Sequence, residues 1–414
     1  MKIVSFTIGL LALFMTAGCR CHDAWEKQRV AFAERDRPLL FNSDGNEMVY
    51  YPKNAPFTYE GFCAQRLDGY WDSAISTLCY CPWTSGFGLM TTARAGEFYD
   101  RPDNQISGCT NAAPVFWREL GTDALEMSSR FCRSKGKEVF VSIRVNDTHD
   151  AVHRPDKPDF LFSPFKQRHP ECLMGTQDRR PPYCAWSAVD YSQPLVRVTF
   201  LGYVRQLAEN YEFDGLDLDF FRHVQCFKSV AWGAESASDA ERKVLTEMIA
   251  EVRRILDGYG RKRGRRPFLL ARTPDSPGFC CGVGIDIETW LRLKYVDVWC
   301  GSGYYRMRSW RESADLAHRY GAKFYASLDE SRVASHCSRL RWPCLGGRNS
   351  RANFAARVAA AEEEGCDGVE FFNIDDYPAP ERKAIAALSP GTNGLNARTS
   401  TASGEASSPS FTAP

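Results

Sequence analysis

The chain has 414 residues, of which 44% are hydrophobic and 25% are charged, and its formal net charge at pH 7 is +1. This is an ordinary globular composition, and the length is sufficient for one large domain or two medium ones. The near-zero net charge does not indicate a nucleic-acid or membrane-surface partner. The basic run at 261–266 is interpreted as a solvated helix end and loop.

The N-terminal segment predicts export. Lys2 precedes an apolar run at 3–15, and small residues follow up to Cys19. A positive start, an apolar middle and small residues at the end are the pattern of a secretory signal peptide. We therefore expect a signal peptide over residues 1–18.

The run TAGC (16–19) resembles a bacterial lipobox, with Thr16 standing where leucine is usual. The resemblance implies that Cys19 is the lipidated first mature residue and that a linker follows over 19–35. No other stretch approaches the roughly 20 apolar residues of a spanning helix. We expect a cell-envelope lipoprotein, in the periplasm or on the outer-membrane surface, that meets the membrane through its lipid anchor only.

Eight short apolar segments predict β-strands, and segments of helical periodicity separate them. Alternating strands and helices indicate a parallel sheet. Eight such strands predict an α/β fold, a closed (β/α)8 TIM barrel with long loops at its C-terminal face. A doubly wound sheet is the alternative, but no glycine-rich phosphate turn follows any strand. The predicted strands span 39–44, 76–82, 138–147, 213–221, 267–273, 295–301, 323–330 and 367–375.

Helix boundaries are marked by capping residues. Ser238 and Glu241 form a predicted capping box before a helix that Gly260 would end, and Ser309 and Glu312 repeat the box. The other predicted helices cover 196–207, Thr122 to near Gly136, and the segment from Ser309 to Gly321.

The barrel is expected to occupy residues 36–388. From 389 to 414 the sequence is small and polar and has few groups to bury, so we expect a disordered tail there. The sequence does not indicate an oligomeric state.

The chain has 16 cysteines, and export would permit disulfides. Cys337 and Cys344 lie in one predicted loop and are close enough in sequence to close it. If Cys19 is lipidated, an odd number remains, so at least one cysteine has no partner within the chain. No CxxC pair has a matching second half, and a structural zinc site is therefore not expected. We expect disulfides, with their connectivity left open.

Asp217 and Asp219 lie in an otherwise apolar run, FDGLDLDFFRH (213–223). Because side chains alternate along a strand, the two aspartates share one face and the intervening apolar residues share the other. In a barrel the aspartates would point inward, with Asp217 about 7 Å deeper than Asp219. Unpaired buried carboxylates are costly, so the pattern indicates a polar site at the mouth. The alternative is an ion-pair network in which Arg144 or Arg272 compensates the aspartates.

The run DGLDLD (214–219) resembles the DGxDxD start of the family 18 chitinase signature. That signature ends in a catalytic glutamate two residues further on, where this chain has Phe221. A broader resemblance spans about 39–376 and is carried by the runs LLFNSDG, VSIRVNDTHD, AWSAVDYS, DGLDLDFFRH, SGYYR, SLDESR and VEFFNID. These runs are similar to bacterial glycoside-hydrolase-like barrel proteins, the family 10-like hypothetical glycosyl hydrolases. This resemblance implies a carbohydrate-active barrel, without naming its sugar.

Glycoside hydrolysis needs two carboxyl groups, one of them protonated. In many retaining barrel glycosidases the acid/base follows strand four and the nucleophile ends strand seven. By this analogy we assign Asp219 as acid/base and Glu330 as nucleophile, with Asp217 as the second choice for either role. A surface pairing of Glu330 with Arg332 is the alternative for that residue. The substrate-binding candidates at the strand ends are Asn42, Asp44, Arg144, Asn146, Asp147, His149, Arg222, His223, Arg272, Tyr304, Tyr305, Glu370 and Asn373.

The long segment after the third strand, 147–192, is expected to overhang the mouth. Trp186 and Tyr191 are candidates for stacking on a sugar, with core or loop packing as an equal alternative. We therefore predict a glycosidase of unknown specificity that has a carbohydrate partner and needs no cofactor or metal.

Two other functions remain open. His149 and His153 form an HxxxH pair beside Asp147, which resembles the ligand set of metal-dependent polysaccharide deacetylases. This would make the chain a carbohydrate esterase or deacetylase. The second possibility is a catalytically inactive, sugar-binding barrel.

Overall fold

The structure is a computed structural model. It describes residues 25–28, 30–31, 34–67, 74–82, 87–102, 106–221, 223–302, 308–328, 351–373 and 385. The predicted signal peptide, Cys19 and the tail lie outside the described residues. The strands, in chain order, are Leu39–Ser43 (β1), Tyr51–Pro52 (β2), Ile75–Tyr80 (β3), Cys109–Thr110 (β4), Glu138–Arg144 (β5), Gly215–Asp219 (β6), Phe268–Pro274 (β7), Val298–Ser302 (β8), Lys323–Ser327 (β9) and Gly368–Phe372 (β10).

Eight of these strands close into a barrel. The order is β1, β3, β5, β6, β7, β8, β9 and β10, every neighbouring pair is parallel, and β10 pairs with β1. Each barrel strand overlaps one of the eight predicted strands, so the predicted (β/α)8 barrel is confirmed. The antiparallel pair of β2 and β4 was not predicted, because each strand is only two residues long.

The bottom of the barrel interior is filled by apolar side chains. The rings of Phe140 and Phe268 stack there with centroids 5.9 Å apart. Gly215 opens β6 beside them, and a Cβ atom at that position would lie 2.8 Å from the Phe140 ring. A side chain at position 215 would therefore displace the Phe140 ring. The next inward position on β6, Asp217, begins the polar part of the interior.

The predicted alternation of β6 is confirmed. Leu216, Leu218 and Phe220 join the large apolar core that includes the surrounding helices. In the strand register, Asp219 lies between Arg144 of β5 and Arg272 of β7. Two arginines thus flank the carboxylate that the sequence placed nearest the mouth.

The helices of the described part surround the barrel. The Ser238–Glu241 capping box is confirmed, because each side chain accepts a hydrogen bond from the other residue's backbone nitrogen. Gly260 does not end this helix, contrary to the prediction. The helix continues to Arg263 and ends at Gly264, which has a positive φ of 68°. The helices are Tyr59–Arg66 (α1), Ala113–Val115 (α2), Ala124–Ser134 (α3), Pro164–Arg168 (α4), Pro194–Asn210 (α5), Lys228–Ala231 (α6), Asp239–Arg263 (α7), Pro277–Gly282 (α8), Ile287–Arg292 (α9), Trp310–Arg319 (α10) and Arg351–Glu363 (α11).

Two predicted helix starts differ in detail. Ser309 caps α10 by accepting from the Arg311 backbone nitrogen, but Glu312 forms an ion pair with Arg308 and does not complete a capping box. The cap of α3 is Asp123, whose carboxylate accepts from the Glu126 backbone nitrogen.

The described part of the chain contains twelve cysteines, and none of them forms a disulfide. The predicted disulfides are therefore absent from this part. Several of these thiols are separated by the barrel itself, since Cys79 and Cys300 are in the interior cluster and Cys226 and Cys280 are in the surrounding core. Cys337 and Cys344 lie outside the described residues.

Among the helices that the structure describes, none combines the length and hydrophobicity needed to cross a bilayer.

Candidate active site

Asp217 is a fully buried carboxyl group of the candidate site. Its Oδ2 accepts hydrogen bonds from Asn42 Nδ2 at 3.0 Å and Ser142 Oγ at 2.7 Å, while its Oδ1 is buried and has no hydrogen-bond partner among the described residues. Complete burial, with the nearby Asp219 and Glu370 carboxyls, raises the pKa of Asp217 well above its usual range. The neutral acid is therefore favoured at this position.

Asp219 and Glu370 share one arginine. Arg272 Nη1 lies 3.3 Å from both oxygens of Asp219, and Arg272 Nε lies 2.8 Å from Glu370 Oε1. The guanidinium is fully buried against the neighbouring rings of Phe221 and Phe372, 4.1 Å and 4.8 Å from their centroids. Such cation–π contacts are strong where water is excluded. Phe221 thus packs on the arginine that pairs with Asp219.

A thiol completes this interior cluster. Cys300 Sγ donates to Glu370 Oε2 at 2.8 Å, and burial together with the Glu370 carboxylate raises the pKa of the thiol well above its usual range. Ser327 also donates to Glu370 Oε1 at 3.5 Å. The sequence analysis missed Cys300 and Ser327. Both side chains point into the barrel interior; Cys300, for example, shares its strand face with Val298. The alternation of side chains along each strand would have identified both residues as inward-facing.

A second polar cluster lies at the ends of β1, β5 and β10. Arg144 donates to Asp44 and, at 2.8 Å from Nη1, to Asp147 Oδ2. Asn373 has a positive φ of 47° and donates to Asp44 Oδ2 at 2.7 Å, while its Oδ1 accepts from the Asp44 backbone nitrogen at 3.0 Å. Four predicted site residues are thus brought together in one network.

Asp147 links this network to two histidines. His149 Nδ1 lies 2.9 Å from both Asp147 oxygens, and the His149 and His223 rings meet edge to face with centroids 5.5 Å apart. Burial opposes ionisation of Asp147, but His149 and Arg144 hold its pKa well below the usual range. The buried Lys166 amine donates to the Asp147 carbonyl at 3.0 Å and to Asp150 at 2.7 Å.

The HxxxH pair does not form the expected cluster. His153 stacks on Phe162 with centroids 3.9 Å apart, and its Nδ1 accepts from the Asp159 backbone nitrogen at 3.1 Å. Residues 149–152 form a turn, whereas the i, i+4 spacing places two side chains on one face only in a helix. The structure brings His223, and not His153, beside His149 and Asp147.

Three predicted site residues support loops. Asn146 donates to the carbonyls of Val189 and Gln225 and accepts from the Val189 nitrogen, so its amide ties two loops together. Trp186 is 6% exposed and donates to the Ala151 carbonyl. Tyr191 is fully buried and donates to the Val145 carbonyl. Both aromatic residues therefore pack within the protein, as in the alternative to sugar stacking.

Four predicted site residues, Arg222, Tyr304, Tyr305 and Glu330, lie outside the described residues.

Comparison with known proteins gives similarity in fold only. No protein-family model matches the sequence, and no curated protein matches it. Solved structures that resemble it include the PgaB (BpsB) glycoside hydrolase domain from Bordetella bronchiseptica, with 13% identity, coverage of 86% of this chain and 99% of that one, and a TM-score of 0.49. A family 18 N-acetylglucosaminidase from Paenibacillus barengoltzii shares 12% identity over 84% of this chain and 99% of its own, with a TM-score of 0.43.

A chitinase from Chromobacterium violaceum is also similar. It shares 9% identity over 84% of this chain and 98% of its own, with a TM-score of 0.40. At these identities and TM-scores the likeness assigns no activity or substrate to this chain.

Proposed function

We propose that the chain is a glycoside hydrolase acting on an oligo- or polysaccharide at the C-terminal mouth of the barrel. The observation that carries this proposal is the contrast between two carboxyl groups on one strand. Asp217 is buried in a setting that favours its neutral form, whereas Asp219 faces the Arg272 guanidinium. Such a pair keeps a proton at the site, and cleavage of a glycosidic bond requires a carboxyl group that can deliver a proton to the leaving oxygen.

Within this pair Asp219 is the proposed acid/base. It lies one inward position closer to the mouth than Asp217, so it is the member that contacts the sugar. The proton that Asp219 donates is supplied by Asp217, whose neutral form is favoured and which lies one inward position below it. Donation of a proton to the glycosidic oxygen leaves a carboxylate on Asp219, and Arg272 is in place to stabilise that charge.

The second carboxylate of the mechanism is proposed to be Glu330. This assignment rests on its sequence position after the seventh barrel strand, since the residue lies outside the described part. Asp44, Arg144, Asp147 and His149, with His223 beside them, are proposed to bind sugar hydroxyl groups. Carboxylates, a guanidinium and imidazoles together offer both acceptors and donors to such groups.

The experiment is a screen of the full chain against a panel of polysaccharides and oligosaccharides with product analysis, followed by Asp219→Asn. Asparagine keeps the shape but cannot protonate a leaving oxygen, so turnover should fall by about 10²–10⁴-fold while sugar binding persists. The matched control is Asp297→Asn. Asp297 is also buried and paired with arginines, Arg253 at 3.0 Å and Arg266 at 2.7 Å, but it precedes β8 at the opposite end of the barrel. Its turnover per folded molecule should remain normal.

Two outcomes would contradict the proposal. A folded Asp219→Asn variant with wild-type turnover would remove Asp219 from the reaction. Sugar binding without any product across the panel would instead favour the catalytically inactive, sugar-binding barrel.

We also propose that the chain is exported and lipid-anchored through Cys19.

A further inference from the structure

The mouth of the barrel contains one carboxylate and two imidazoles from separate segments. Asp147 and His149 follow β5, and His223 lies in the loop after β6. One potential ligand atom of each residue lies within 4.8 Å of those of the other two. The three residues are 76 positions apart at their extremes (223 − 147), so only the folded barrel brings them together.

We propose that Asp147, His149 and His223 bind a divalent transition-metal ion, with zinc as the reference ion. A carboxylate with two imidazoles is a ligand set that borderline metals such as zinc prefer over magnesium or calcium. Three protein ligands leave coordination positions open toward the mouth, where water or a substrate oxygen would complete the shell.

The local charge permits a cation despite the nearby arginine. Arg144 is shared between two carboxylates, Asp44 and Asp147, so one positive charge faces two negative ones. Asn373 adds a neutral amide to Asp44 and does not change this balance. Among the described residues, this network therefore carries one net negative charge before the histidines are counted, which favours the approach of a cation.

The geometry combines one fixed ligand with two adjustable ones. Asp147 is fully buried, and its carboxylate is held by Arg144 and by the His149 backbone nitrogen at 2.9 Å. Lys166 fixes the carbonyl of the same residue. The His149 side chain is 35% exposed, and His223 is partly exposed. Two ligands of a tetrahedral zinc ion lie about 3.3 Å apart, given bonds of about 2.0–2.1 Å. Small rotations of the two imidazoles would provide this spacing.

The test measures zinc binding to the full, tag-free chain by calorimetry, with the visible absorption of bound cobalt as a second readout. We expect one ion per chain, and His223→Ala should weaken binding at least 10-fold, since even residues that only support ligands cost 10–100-fold. His223 is suitable because it is partly exposed and can be truncated without opening the core.

Two control variants separate this site from other histidines. His153→Ala removes the residue that sequence spacing pairs with His149 but that stacks on Phe162, and it should leave affinity unchanged. His169→Ala removes a surface histidine whose partner is Glu171, and it should also have no effect. Loss of binding in His153→Ala but not in His223→Ala would overturn the assignment. Absence of stoichiometric binding, or equal binding by all variants, would overturn it as well. These readouts do not depend on sugar turnover, so they fail or succeed independently of the proposed glycosidase activity.

Discussion

Arg272 Nη1 lies 3.3 Å from both carboxylate oxygens of Asp219, and both side chains are buried inside the barrel. The same guanidinium contacts Glu370 at 2.8 Å. The ion-pair alternative raised by the sequence is therefore formed, through Arg272. An ion pair and a catalytic carboxyl are compatible, because the arginine that permits burial of Asp219 also stabilises its ionised form.

Replacing Arg272 by methionine should destabilise the fold in a pH-dependent manner. The change leaves Asp219 and Glu370 in the interior without their shared cation, a loss of about 3–5 kcal/mol in the free energy of unfolding. In the variant both carboxyls would keep protons to higher pH than in the unfolded chain. Stability should therefore fall further from the wild type as the pH rises.

Urea unfolding at pH 5 and pH 8 measures this difference. The control is Arg254→Met, which removes a 70% exposed arginine paired with Glu251 and should change stability by about 0.5 kcal/mol or less. A loss in Arg272→Met that is equal at both pH values would show that packing, and not charge, explains it.

The raised pKa of Asp217 predicts a second pH dependence. Above the unfolded-state pKa of about 3.9, the native state keeps a proton that the unfolded chain has lost, so this group lowers stability by up to about 1.4 kcal/mol for each pH unit. Asp217→Asn removes the titrating group. The variant should therefore gain stability relative to the wild type as the pH increases from 5 to 8.

Glu251→Gln provides the control for this measurement. Hydrogen bonding to Arg254 lowers the pKa of Glu251 to about 2, so its contribution is complete above the unfolded pKa and is lost only in acid. Its difference from the wild type should be constant between pH 5 and 8. A constant difference for Asp217→Asn as well would argue against a proton on Asp217.

The cysteines should titrate as thiols. Protein denatured without reductant should react at no fewer than twelve sites per chain, the number of cysteines in the described part that form no disulfide. In the native protein Cys79, Cys226, Cys280 and Cys300 are fully buried and should react only on unfolding. A disulfide between Cys337 and Cys344 would not change the minimum count. A lower count that reductant restores to twelve or more would contradict this expectation.

Export and lipidation predict the behaviour of Cys19→Ser. Without the thiol no acyl chain can be attached, and the protein should leave the membrane fraction because its anchor is absent. Cell fractionation with immunodetection measures this change, and Cys21→Ser, two residues away, is the matched control. Membrane association that persists in Cys19→Ser would reject lipidation at this residue.

The sequence predicts local features of the fold well. The alternation in β6, the eight barrel strands and the Ser238 capping box depend on residues close in the chain, where period and cap chemistry act directly. The prediction that the helix ends at Gly260 was wrong, because a glycine is required there by close packing and not by the end of the helix. A Cβ there would lie 2.6 Å from the Arg265 carbonyl oxygen.

The partners within the candidate site were less predictable. The strand ends indicated which side chains gather at the mouth, but not how one side chain contacts another. Arg272 and Asp219 are separated by 53 positions, and Arg144 and Asp44 by 100. His223 replaces His153 beside His149 because the segment after β5 is a turn, and spacing alone cannot show this.

During synthesis the barrel cannot close before β10 is made, because β10 pairs with β1. Asn373 bonds to Asp44 across 329 positions, and the Asn373 nitrogen donates to the Asn42 carbonyl at 2.8 Å. A chain that ends between β9 and β10 would carry Asp217 and Arg272 in an open sheet with two bare edges, at β1 and β9. Such edges are templates for intermolecular pairing. We therefore expect a chain that terminates between β9 and β10 to be prone to aggregate and to lack an assembled mouth.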